Sequence, residues 1–135
     1  MAALSSERSQ PKVLTCYLVE DSALIRENLE ATLDEMLAVR VIGYAETEQA
    51  AITWMRESAQ ACDLMIIDIF LRAGSGIGVL QHARQSCPDA RLVVLTNFAT
   101  PEIRKRCAQL GADRVFDKSA ELDELLAYCE SIAAE

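Results

Sequence analysis

Asp63-Leu64-Met65-Ile66-Ile67-Asp68 is the stretch on which the fold turns. Its four apolar residues are consecutive, with no alternation of apolar and polar side chains. A strand with one face in water alternates, whereas one that is apolar throughout is covered on both faces, as in a parallel sheet between helices. Leu92-Val93-Val94-Leu95 has the same texture farther along the chain. Outward from these two runs, Val13–Val19, Val39–Ala45, Leu64–Ile69, Arg91–Thr96 and Arg114–Phe116 read as strands. Segments near 22–37, 47–60, 76–86, 101–110 and 119–133 read as helices. Strand then helix, five times over, predicts an open, doubly wound α/β domain with a parallel sheet.

End signals support this division. Thr100-Pro101 is an N-cap followed by proline at the first helical position, and Gly111 stops the helix whose apolar face is Ile103, Cys107 and Leu110. Ser119 is expected to start the last helix, with Leu122, Leu125, Leu126, Cys129 and Ile132 as its buried stripe. Trp54 has no chemical companion and reads as packing.

The 135 residues suit one domain, and an apolar content of 51% supports a full core. With 21 acidic against 13 basic side chains, the net charge of -8 disfavours direct binding to nucleic acid or anionic membranes. The five cysteines, Cys16, Cys62, Cys87, Cys107 and Cys129, show neither CxxC pairs nor metal spacing, which fits small buried hydrophobes in a reducing compartment. Residues 1–11 read as a flexible polar leader before a domain at 12–133. No stretch has the length of a signal peptide core or a membrane span, so a cytoplasmic protein without membrane insertion is expected.

In a fold of this class, ligands bind at the carboxyl ends of the strands. The first strand ends at Glu20-Asp21, the third at Asp68, the fourth at Thr96, and the fifth runs into Lys118. Taken singly, these are a helix-capping acid pair, a loop acid, a β-branched strand end and a solvated lysine. Taken together they gather three carboxylates, a hydroxyl and an ammonium at one edge. Clustered carboxylates repel unless a cation joins them, and oxygen-only ligands favour a hard ion such as Mg²⁺. A carboxylate on a rigid strand can act as a nucleophile towards phosphorus, with metal, lysine and hydroxyl to receive the phosphoryl oxygens.

At these residues the chain resembles the receiver domain of bacterial response regulators. The matching features are Glu20-Asp21, Asp63-Leu64 leading to Asp68, Gly76, Leu95-Thr96, and Gly111-Ala112-Asp113 followed by Lys118. The resemblance implies a flavodoxin-like (βα)5 fold with strand order 2-1-3-4-5. It implies a Mg²⁺ cofactor held by Glu20, Asp21, Asp68 and the backbone carbonyl of Phe70, with Asp68 as phosphoacceptor. Thr96 and Lys118 would sense the phosphate. The donor would be a histidine kinase or histidine phosphotransfer protein, and a downstream protein target would be reached by protein–protein contact.

The chain departs from the pattern at three places. Arg72 stands where many receivers have proline, Val115 where an aromatic is usual, and Asn97 where a small residue is common. The basic run Arg104-Lys105-Arg106 reads as a solvated face. Two other readings compete. A phosphatase of the haloacid dehalogenase type needs a general acid two residues after its nucleophile, where this chain has Phe70. A receiver that is never phosphorylated would have no use for all five polar site residues.

Overall fold

The computed structural model describes residues 13–58 and 62–135, so the segment read as a leader, 1–11, lies outside the described residues. The decisive run forms β3 (Leu64–Ile67), buried at every position. With β1 (Leu14–Val19), β2 (Val39–Ala45), β4 (Arg91–Thr96) and β5 (Arg114–Asp117) it makes one parallel sheet, ordered β2-β1-β3-β4-β5. The helices are α1 (Ala23–Asp34), α2 (Glu48–Glu57), α3 (Gly76–Ser86), α4 (Pro101–Gln109) and α5 (Leu122–Ala133). This is the flavodoxin-like doubly wound fold expected from the sequence.

Successive strand residues point to opposite faces, and each face has its own core. Tyr17, Val19, Met65, Ile67, Leu92 and Val94 pack with Met55 of α2, Leu80 of α3 and Cys107 of α4. Cys16, Leu18, Leu64, Ile66, Val93 and Leu95 pack on the other face with Leu33 of α1 and Leu125 of α5. Trp54 is a packing residue, its ring stacked on Tyr17 with centroids 3.8 Å apart. All five cysteines are buried and free; burial pushes the thiols of Cys62 and Cys129 up to about 12 and about 11, which suits inert packing.

Ser22, Thr47, Ser75 and Thr100 cap α1 to α4, each accepting a backbone N–H in the first turn. Gly111 ends α4 with φ at 105°. The structure differs from the sequence reading at element ends. β3 stops at Ile67 because Asp68 turns the chain, its Oδ1 accepting Phe70 N–H at 3.3 Å. α1 stops at Asp34, leaving Leu37 93% exposed. The last helix starts at Leu122, not Ser119, because Asp117 Oδ1 accepts Ser119 N–H at 2.8 Å and Ala120 N–H at 3.1 Å. Leu122 accordingly lies outside the buried stripe. Among the described residues, no helix is long and apolar enough to cross a membrane.

Candidate functional site

Parallel strands joined by helices must all end on the same edge, so the ladder itself assembles the polar residues. Asp68 N–H donates to Val19 O at 2.9 Å, which sets Asp68 beside Glu20. Lys118 N–H donates to Thr96 O at 3.0 Å, which draws Lys118 in from the other side. Carboxylate oxygens of Glu20, Asp21 and Asp68 lie within 4.8 Å of one another. Glu20 and Asp68 are only 4% and 7% exposed, and Thr96 is fully buried.

Lys118 Nζ bridges two of these acids, at 2.5 Å from Glu20 Oε1 and 2.8 Å from Asp68 Oδ2. Burial by itself would lower the Lys118 pKa, but hydrogen bonds and charge from Asp68 and Glu20 outweigh it, and the ammonium is held above its usual range. Burial dominates at Glu20 and raises its carboxyl, against the hydrogen bonds from Lys118 and the Ser22 N–H. The lysine is the better served partner, because it gains two anions while Glu20 gains one cation. Glu20 does not cap α1. Its Oε2 accepts Ser22 N–H at 3.1 Å, and Ser22 is the cap.

The remaining polar atoms are aimed as well. Thr96 Oγ1 accepts Phe98 N–H at 3.2 Å, which leaves its own proton available to an acceptor in the site. A cavity of 230 Å³ opens over Asp68, bordered by Phe70, Asn97 and Phe98. Phe70 and Phe98 are 51% and 57% exposed, and their rings meet edge to face with centroids 4.9 Å apart. A larger groove of 720 Å³ between the ends of α1 and α5 is mainly apolar and holds no comparable cluster.

Several residues that serve the site were missed in the sequence. Arg26 is buried on α1, where its Nη1 donates to Glu20 O at 3.2 Å and to Glu46 Oε2 at 3.0 Å. Glu46 also pairs with Arg72 at 3.4 Å, so an ion-pair chain reaches the loop where many receivers carry proline. The available signal was Arg26 at i and Leu29 and Leu33 at i+3 and i+7, an arginine on the buried stripe. Arg104 corrects the expectation of a solvated basic face. It donates to Ala99 O at 3.0 Å, Val115 O at 2.9 Å and Glu121 Oε1 at 2.5 Å, while Lys105 and Arg106 stay exposed.

The response regulator receiver domain model matches residues 16–130. Over 120 residues the chain is 23% identical to the response regulator UvrY of Escherichia coli O6:H1, covering 89% of this chain and 54% of that protein. The chain thus spans about half the length of that relative. Among solved structures it resembles a two-component response regulator of the LuxR family from Aurantimonas sp. SI85-9A1, with TM-score 0.81 and 24% identity over 91% of this chain and 86% of that one. It also resembles a response regulator protein from Burkholderia pseudomallei with a phosphorylated aspartic acid, calcium ion and citrate (TM-score 0.73, 24% identity, 90% of this chain, 66% of that one). With the family model spanning nearly all of the sheet and its helices, the chain belongs to the response regulator receiver domain family of two-component signalling.

Proposed function

We propose that the domain accepts a phosphoryl group on Asp68 from a phosphohistidine donor, with Mg²⁺ as cofactor, and signals through contacts with a downstream protein. The observation that carries this reading is the partly buried Lys118 ammonium shared between Glu20 and Asp68, with Asp21 alongside. The donor set of three carboxylates fits a hard divalent ion, and the Phe70 carbonyl would complete the ligands. When bound, the ion would offset charge on the phosphoryl oxygens.

An Asp68 carboxylate oxygen attacks phosphorus. The O–P bond forms as the P–N bond to the donor imidazole breaks, and the imidazole nitrogen keeps the electron pair. Phe70 N–H holds Oδ1, which fixes the carboxylate plane. The Lys118 ammonium, already on Oδ2, is placed to follow charge onto the phosphoryl oxygens, and Thr96 can donate its free hydroxyl proton to another. The Burkholderia pseudomallei relative, with its phosphorylated aspartic acid, supports the same chemistry here. A haloacid dehalogenase reaction lacks its acid, because Phe70 cannot donate a proton. We therefore read the chain as a signalling domain rather than an enzyme with turnover of its own.

Asp68→Asn tests the assignment. Labelling by acetyl phosphate in Mg²⁺ is expected to vanish while the circular dichroism spectrum is retained. Undiminished labelling of the variant defeats it.

A further inference from the structure

Glu48, the first residue of α2, takes no part in the chemistry above, yet it is built into the loop that follows Asp68. Its Oε1 accepts Ser75 N–H at 2.8 Å, and its own N–H donates to Ala73 O at 3.1 Å. Two glycines leave it room. A Cβ at Gly78 would lie 2.1 Å from Glu48 Oε2, and one at Gly74 would lie 2.4 Å from Glu48 Cβ. Gly74 also has φ at 79°, a region that side chains avoid. The carboxylate therefore occupies a slot that two missing side chains create, at the start of α3 where the helix dipole favours an anion.

From Ser75 a continuous run of contacts leads to the acceptor. Ser75 pairs with Phe70 in an antiparallel bridge, and its Oγ donates to Ile69 O at 3.4 Å. Gly76 N–H donates to the same Ile69 carbonyl at 2.9 Å. The Gly76 backbone presses against Asp68, so that a Cβ there would lie 2.0 Å from Asp68 O. Phe70 N–H in turn holds Asp68 Oδ1. We infer that Glu48 is a positioning residue, which sets the backbone of residues 68–70 and through it the Asp68 carboxylate and the Phe70 carbonyl. The inference rests on the proposed role of Asp68. It gives the loop a brace from α2 instead of from a stiff residue at position 72.

Glu48→Ala, Glu48→Gln, Gly78→Ala and the Glu48→Ala/Gly78→Ala pair test this. Mg²⁺ affinity is measured by titration well below the melting temperature, and labelling by acetyl phosphate in parallel. Glu48→Ala is expected to weaken Mg²⁺ binding roughly tenfold, the usual cost of losing a group that orients ligands, and to slow labelling. Glu48→Gln keeps an oxygen for Ser75 N–H and should restore both. Gly78→Ala alone should imitate Glu48→Ala by pushing the carboxylate out of its slot. In the Glu48→Ala background it should add no further loss, since the slot is then empty and alanine is the better helix former. A lower melting temperature for Glu48→Ala with Mg²⁺ affinity and labelling unchanged would overturn the inference, as would additive losses in the double variant. If Asp68→Asn still labels, the acceptor assignment has failed instead, and the Mg²⁺ titration judges Glu48 separately.

Discussion

The two loops that flank Asp68 are held by different means. Loop 68–75 is held by backbone pairing, the Phe70–Ser75 bridge and the Gly76 N–H on Ile69 O, with the Glu48 carboxylate on Ser75 N–H as a side-chain brace. Loop 97–100 has one internal backbone bond, Thr100 N–H on Phe98 O at 2.8 Å, and otherwise hangs from side chains. Thr96 Oγ1 takes Phe98 N–H, and the Arg104 guanidinium takes Ala99 O while reaching to Val115 O and Glu121. Backbone bridges between short segments are hard to exchange one at a time. A hydroxyl and a half-exposed ion pair can trade partners at little cost. In the proposed reading, the Asp68 side is the one that stays put and the Thr96 side the one that can be re-bonded. The loops meet where the Phe70 and Phe98 rings touch, over the cavity above Asp68.

The strongest way to sharpen this contrast is to change the charge that the fixed side must hold. In the proposed site, Asp21→Ala deletes a metal ligand but also relieves repulsion among the three carboxylates. At an ion concentration of about 100 times Kd, wild-type protein should gain about 2.7 kcal/mol from Mg²⁺. The variant should gain almost nothing, while its metal-free melting temperature holds or rises. Thermal melts with and without the ion decide it, and equal gains would count against the site.

The meeting point of the loops is tested by Phe70→Asn with Phe98→Glu. Hydrolysis of an acyl phosphate needs a water in line with phosphorus, opposite the Asp68 oxygen. Two half-exposed phenyl rings cannot orient that water, whereas an amide and a carboxylate can. Loss of phosphate from the purified, phosphorylated double variant in Mg²⁺ should be about tenfold faster, which needs only ~1.4 kcal/mol in the barrier. Decay no faster than wild type would show that the aromatic pair is not what protects the phosphate.

The smallest effect is expected on the exchangeable side. Arg104 holds the Glu121 carboxyl below its usual value of 4.5, chiefly by their hydrogen bond. A depressed acid contributes stability that is present above its unfolded pKa and is lost as pH falls through the lower folded value. Arg104→Ala should therefore flatten the fall in melting temperature between neutral and acid pH, with little change in Mg²⁺ affinity. A wild-type acid limb in the variant would mean that the pair contributes nothing.

The parallel sheet and its order of use could be read from local pattern. Runs such as Leu64–Ile67 and Leu92–Leu95 state that both faces are covered, and burial at every one of these positions follows from that. Once strands are parallel, the residues after them must share an edge, so the convergence of Glu20, Asp68 and Lys118 was also legible before any coordinates. What could not be read was the direction of long side chains and the competition of short ones for backbone. Arg104 belongs to a run of three basic residues, and only the placement of Val115 and Glu121 across from it turns one of them inward. Ser119 carries a good capping side chain, but Asp117 takes its N–H first and delays α5 to Leu122. Glu48 looks like an ordinary acid in the first turn of a helix, and its slot exists because Gly74 and Gly78 arrive from another element. Period and composition set the scaffold because burial is additive along a strand or helix. Which polar atom meets which is a contest among groups distant in sequence, and it is decided only when the elements pack.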